Sequence, residues 1–239
     1  MRLIGYVTSG YPNIEGSSLL ADQYLAGGCN MLEISLPLLE NTEAPYLNDL
    51  MVQAYNACPD YDKHLQAIEK ITEKHPGVPI TILLYDAVAM RIGPEKFAQF
   101  CHNCGIQDVN SPDLSTPDVL AALEKYGIHL AGLIRASFTD ADIAQAKRTK
   151  GFVYMTAFAP KDKCRPGYET IAKRIACVRA CGVTGQLYCG GGVRKPEDAA
   201  VVKAAGADGV FLGTSILKLQ GQPGLVAAVR QFREAIGEN

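Results

Sequence analysis

Glu33 stands in Asn30-Met31-Leu32-Glu33-Ile34-Ser35-Leu36-Pro37, an otherwise apolar, strand-like run. A carboxylate so placed is either a buried acid–base group with a raised pKa or a structural group tied into a hydrogen-bond network; the pattern alone leaves both readings open. The segment that follows, Leu38 to Tyr46, brings Glu40 and Glu43 to the same rim, and two acids at one mouth suit proton transfer. A second chemistry lies in the C-terminal quarter. Tyr188-Cys189-Gly190-Gly191-Gly192-Val193 and Phe211-Leu212-Gly213-Thr214-Ser215-Ile216 each read as strand, glycine turn and helix start. Glycine lets the backbone approach an anion closely, while the N–H groups and the positive dipole end of the following helix attract it. Two such turns on neighbouring strands make one phosphate site; the plainer reading is that the glycines serve only tight turns.

The elements that must position these groups alternate along the whole chain. Strand-like segments are Leu3–Val7, Met31–Ile34, Ile80–Leu84, Asp108–Asn110, Leu130–Ile134, Val153–Thr156, Gln186–Tyr188 and Val210–Leu212. Amphipathic helical stretches lie between and after them: Ser17–Ala26, Asp62–Lys74, Pro94–Cys104, Pro117–Tyr126, Asp140–Arg148, Ile171–Ala180, Pro196–Ala205 and Gly224–Ile236. Short apolar strands alternating with helices argue for a parallel sheet, and eight such units argue for closure into a (β/α)8 TIM barrel, one domain over residues 1–239. An open dinucleotide-binding sheet fits poorly, because Gly190 to Gly192 lacks the Gly-x-Gly-x-x-Gly spacing and lies at the wrong end of the chain. In a barrel, catalytic groups and the phosphate site share the C-terminal face of the strands.

Composition narrows the ligand. Of 239 residues, 48% are hydrophobic and 23 Lys and Arg stand against 25 Asp and Glu, without a basic block. This excludes an electrostatic footprint for nucleic acid or an anionic membrane surface, and points to a small phosphorylated substrate. No apolar run reaches the length of a membrane span, and Met1 to Gly5 enters a strand directly without a signal-peptide pattern, so the expectation is a cytoplasmic protein. The eight scattered cysteines read as reduced small hydrophobes; Cys101-x-x-Cys104 has the spacing of half a zinc site but no second pair, so no metal is expected. The four histidines read as surface or helix-end residues.

Several of these segments, in order, resemble the tryptophan synthase α subunit family. Gly5-Tyr6-Val7-Thr8-Ser9-Gly10-Tyr11-Pro12 resembles its first strand and Thr-x-Gly-Asp-Pro turn, and Leu32-Glu33-Ile34-Ser35-Leu36-Pro37 its Leu-Glu-Leu-Gly-Ile-Pro. Ile80 to Tyr85 resembles the third strand, Pro112-Asp113-Leu114 the Pro-Asp-Leu after strand four, and Gly151-Phe152-Val153-Tyr154 the Gly-Phe-x-Tyr of strand six. Gly190 to Val193 and Gly213 to Lys218 are similar to its phosphate turns. The resemblance implies a cofactor-independent carbon–carbon lyase that cleaves indole-3-glycerol phosphate by a retro-aldol reaction, yielding indole and glyceraldehyde 3-phosphate. It implies Glu33 as acid–base catalyst and Glu43, or Glu40, in place of the aspartate that holds the indole N–H. It further implies Gly191, Gly192, Gly213 and Thr214 as phosphate contacts, Thr8, Tyr85 and Tyr154 as pocket residues, and a β subunit carrying pyridoxal phosphate as partner.

The departures are as informative. The loop after strand two, Pro37 to Pro45, is one residue shorter than the family's, and the glycine-rich lid after strand six is replaced by Ala157 to Gly167, whose Lys161, Lys163 and Arg165 offer charge in place of backbone N–H groups. The family's leading helix has no counterpart ahead of the first strand. These departures keep three alternatives in view: a paralogous lyase or isomerase acting on another phosphorylated substrate, a non-catalytic subunit that activates a β-like partner, and a flavin mononucleotide barrel, whose phosphate turn is similar.

Overall fold

The computed structural model describes residues 1–39 and 45–237. Its strands are β1 (Arg2–Thr8), β2 (Met31–Ser35), β3 (Ile80–Leu83), β4 (Asp108–Asn110), β5 (His129–Leu130), β6 (Gly132–Ile134), β7 (Val153–Thr156), β8 (Leu187–Gly190) and β9 (Gly209–Phe211). All pairings are parallel, and the sheet runs β5-β4-β3-β2-β1-β9-β8-β7-β6. Its two end strands are one residue apart in sequence, so the sheet closes on itself. The expected fifth strand, Leu130–Ile134, is therefore two pieces. Ala131 N–H still bonds the Val109 carbonyl at 2.9 Å while Gly132 N–H already bonds that of Phe152 at 2.9 Å, so pairing passes from one neighbour to the other at that point.

Strand parity sorts the core. Ile4, Met31, Ala131, Phe152, Tyr188 and Phe211 form a cluster without any helix residue, which places them inside the barrel and plugs its lower half. Leu3, Leu32, Ile34, Ile82, Val153 and Val210 belong instead to the cluster shared with the helices. Burying each such side chain stabilises the fold by roughly 1.5–3 kcal/mol. Two residues beyond Ile4 and Met31 come Tyr6 and Glu33, then Thr8 and Ser35, on the same interior face. Apolar plug below and polar groups above follow directly from the period of two.

Helix starts are fixed by side-chain caps: Asn13 accepts from Gly16 N, Asp60 from Asp62 N, Thr139 from Asp142 N and Thr170 from Lys173 N. Three helices lie outside the expected set, Pro45–Ala57, Asp86–Ile92 and the single turn Thr214–Leu217. The first buries Leu50, Met51 and Ala54, a helical spacing inside a stretch that reads as loop at its start. Among the described residues no helix is long and apolar enough to cross a membrane, and no cluster of three His, Cys, Asp or Glu could hold a metal. All eight cysteines are free, and burial pushes the Cys101 thiol up. His64, expected at the surface or at a helix end, lies in the first turn of the helix Tyr61–Lys74 but not at the surface. It is fully buried, with Nδ1 2.9 Å from Ser9 Oγ and Nε2 2.8 Å from the Cys58 carbonyl oxygen, and so ties the end of β1 to the following helices.

Candidate active site

Glu33 lies mid-strand in β2 and is 6% exposed. Burial pushes its carboxyl up to about 7, against a pull downward from Asn110, whose Nδ2 donates to Oε1 at 2.8 Å. Desolvation wins because the charged form loses its water and regains one donor only. The group is thus poised to give and take a proton near neutrality, as a general acid–base should be.

Sheet register brings the neighbours in. Tyr6 pairs with Glu33 and Thr8 with Ser35, so the four side chains share the interior face. Burial holds the Tyr6 phenol well above its ordinary range, and the nearby Glu33 and Tyr85 push it further. Burial raises Tyr154 as well, with Glu33 again a contributor. Glu33 is thus within electrostatic reach of Tyr6 and Tyr154, and Tyr6 of Tyr85, so that, with Thr8 opposite Ser35, the expected pocket residues gather with Glu33 at one end of the barrel interior. Tyr6, Ser35 and Asn110 belong to it too and were not expected. Ser35 carried a visible signal, since serine stands there at the glycine position of the Leu-Glu-Leu-Gly-Ile-Pro pattern.

The glycine turns adjoin this chamber. A Cβ on Gly190 would lie 2.7 Å from Tyr154 Oη, so the tyrosine on β7 touches the start of the first turn. Gly191 and Gly192 have φ of 71° and 78°, the left-handed region that favours glycine. A Cβ on Gly213 would lie 2.0 Å from the Val193 carbonyl oxygen, which shows that the two turns are packed together. The two amides just ahead of the helix Pro196–Ala204 are already engaged: Asp198 Oδ2 accepts from Arg194 N at 2.8 Å and from Lys195 N at 3.1 Å. The amides of Gly191 to Val193, ahead of that pair, are the ones this turn offers to an anion without displacing Asp198. On the second turn Thr214 is exposed, whereas Ser215 Oγ is buried without a hydrogen-bond partner among the described residues.

The lid region differs in its three charges. Lys161 and Lys163 sit exposed on one turn of 3-10 helix, Lys161–Lys163. Arg165 is committed elsewhere, with Nη1 2.8 Å from Asp140 Oδ1 and 3.1 Å from the Phe138 carbonyl oxygen. A different arginine organises the segment. Arg174, fully buried on the helix Ile171–Ala180, donates to the carbonyls of Thr156, Ala157 and Tyr168 at 2.6–2.9 Å. Glu40 and Glu43 lie outside the described residues.

With this geometry in view, comparison with known proteins is specific. Residues 1–234 match the family model described as tryptophan synthase alpha chain. Among curated relatives, the tryptophan synthase alpha chain of Leptospira interrogans is 26% identical over 224 residues, 90% of this chain and 84% of that one. That of Methanosarcina acetivorans is 25% identical over 222 residues, 91% and 80%. Among solved structures, a protein of Aquifex aeolicus superposes with a TM-score of 0.87 at 26% identity, covering 99% of this chain and 93% of that one. Tryptophan synthase from M. tuberculosis in its open form superposes with a TM-score of 0.82 at 24% identity, covering 98% and 92%, a likeness of fold.

Proposed function

The chain belongs to the tryptophan synthase alpha chain family, and from that premise we propose that it is an aldolase-type carbon–carbon lyase, cleaving indole-3-glycerol phosphate to indole and glyceraldehyde 3-phosphate with no cofactor. The observation that carries this reading is Glu33: a buried carboxyl with its pKa near 7, in a chamber that adjoins a pair of packed glycine turns.

The chemistry asks for one proton donor and one proton acceptor. Indole leaves poorly as a carbanion, so C3 must first be protonated, and neutral Glu33 supplies that proton. The C3–C1′ bond then breaks, its electron pair returns to the ring, and the C1′ hydroxyl becomes the aldehyde by yielding its proton to the Glu33 carboxylate. The carboxyl ends as it began. Glu43 accepts a hydrogen bond from N1–H in this scheme. The amides of Gly191 to Gly192 and the turn at Gly213 to Ser215 hold the phosphate, with Thr214 and Lys163 at its edge, while Thr8, Tyr85 and Tyr154 wall the pocket. The indole passes to a β subunit carrying pyridoxal phosphate, docked over the loops that follow β2 and β7.

Steady-state assay with indole-3-glycerol phosphate, with and without a cognate β subunit, tests the proposal. Indole and glyceraldehyde 3-phosphate should appear in equal amounts, faster with the partner present. A protein that produces neither but accelerates the β reaction would be a docking subunit instead.

A further inference from the structure

Three buried hydroxyls stand on the Glu33 face of the barrel without a well-formed hydrogen bond. Tyr6 is 5% exposed, Thr8 and Ser35 are 0% exposed, and Tyr6 Oη, Thr8 Oγ1 and Ser35 Oγ all lack a hydrogen-bond partner among the described residues. Thr8 and Ser35 lie close enough to the phenol to favour its ionised form, yet none of the three oxygens reaches another with ordinary hydrogen-bond geometry. An orphaned buried hydroxyl has given up its water for no bond in return, so three on one face call for a partner that arrives from outside the chain.

Their position says which part of a ligand that is. Arg2, Leu3 and Ile4 pair with Gly209, Val210 and Phe211. Continuing that register by two residues puts Tyr6 level with Gly213, the second phosphate turn. On its other side Tyr6 pairs with Glu33. The Tyr6 backbone is fixed there, since Gln220 Nε2 donates to its carbonyl at 2.6 Å. Tyr6 therefore stands between the strand of the proton-transfer group and that of the phosphate turn, with Thr8 and Ser35 one interior layer above it, on the side where the three-carbon chain joining ring to phosphate would run. Each hydroxyl both donates and accepts, the complement of a chain of vicinal hydroxyls and a poor match to an apolar ring.

We propose that Tyr6, Thr8 and Ser35 form a subsite that binds the free hydroxyls of the substrate's phosphorylated polyol chain, so that the protein selects a hydroxylated linker over a plain alkyl one. The inference rests on the lyase reading above and adds to it the feature of the substrate that these side chains recognise. A site built to bond a hydroxyl leaves its own groups unpaired when a ligand lacks one, and so rejects that ligand.

The test compares two ligands that differ in those hydroxyls alone: indole-3-glycerol phosphate, through its KM, and 3-(indol-3-yl)propyl phosphate, through its inhibition constant. Tyr6→Phe, Ser35→Ala and Thr8→Val remove hydroxyls that make no well-formed hydrogen bond among the described residues, so the variants should fold. Each of Tyr6→Phe and Ser35→Ala should raise the KM about tenfold, with a smaller rise for Thr8→Val, while the propyl compound binds as before or more tightly. Equal weakening of both ligands, or no change in either, would overturn the subsite and leave the lyase reading standing. A wild-type protein that neither cleaves the one nor binds the other would overturn both.

Discussion

The two sides of the barrel mouth are made differently. On the β8 and β9 side the contact surface is backbone: two glycine turns packed so closely that one added carbon on Gly213 would strike the Val193 carbonyl. On the β1 to β4 side it is side chain: Glu33, Tyr6, Thr8, Ser35 and Asn110, drawn from three strands onto one interior face. Backbone amides fix an anion whatever is attached to it, so on the proposed reading the first side anchors the phosphate. Side chains carry protons and choose between ligands, so on the same reading the second side reacts and discriminates.

The comparison can be broken most severely at Gly213. Gly213→Ala puts a Cβ 2.0 Å from a backbone oxygen, and the turn must move. Since a displacement of about 1 Å in a positioning group costs on the order of 10²-fold, kcat/KM should fall by about that much. Free glycerol phosphate should lose affinity in parallel, measured by competitive inhibition. An unchanged inhibition constant would dissociate this turn from the phosphate.

Arg174 tests whether the lid is held from beneath. Arg174→Met removes the donors to Thr156, Ala157 and Tyr168, and each buried carbonyl left unpaired costs roughly 1–3 kcal/mol, partly offset because a buried charge disappears as well. A loss of roughly 1–3 kcal/mol and a Tm lower by several degrees are expected, with protease cutting concentrated between Ala157 and Thr170. Equal stability and an uncut lid would show that the arginine orders nothing.

The first side was the more legible in sequence, and for a physical reason. A backbone site needs glycine at particular turns and shows it within a dozen residues, whereas a side-chain site is assembled by register between distant segments. Glu33 was visible because a carboxylate in an apolar strand is anomalous by itself. Its partner Asn110 is 77 positions away and looks unexceptional in Asp108-Val109-Asn110. Tyr6 is one strand residue among several in Gly5-Tyr6-Val7-Thr8, and only the pairing of β1 with β2 shows that it faces Glu33. Strand and helix alternation carried the fold, because period-two and helical patterns are local; the handover at Ala131 depends on which neighbour each N–H finds, and sequence spacing does not encode that. His64 misled because its burial is enforced by a bond to Ser9 on another element.

The smallest expected effect lies at Asn110. Its amide favours the ionised form of Glu33, so Asn110→Leu should move the carboxyl above its present value of about 7. If neutral Glu33 is the proton donor, activity is present below that pKa and lost above it. The alkaline limb of the kcat profile should therefore shift to higher pH in the variant. A shift toward lower pH, or none, would mean that another group gives rise to the limb.

Glu33→Gln tests the central claim most directly, read as turnover and stability together. The wild-type carboxyl titrates at about 7 when folded against 4.5 when free, so the folded state holds the proton longer and loses stability as pH rises between those values, by roughly 3 kcal/mol in all. Glutamine keeps the shape, carries no titrating proton and escapes that loss. The account predicts a variant that melts no lower than wild type at pH 8, binds indole-3-glycerol phosphate, and turns it over roughly 10²–10⁴-fold more slowly. A well-folded Glu33→Gln protein that still releases indole at the wild-type rate would contradict it.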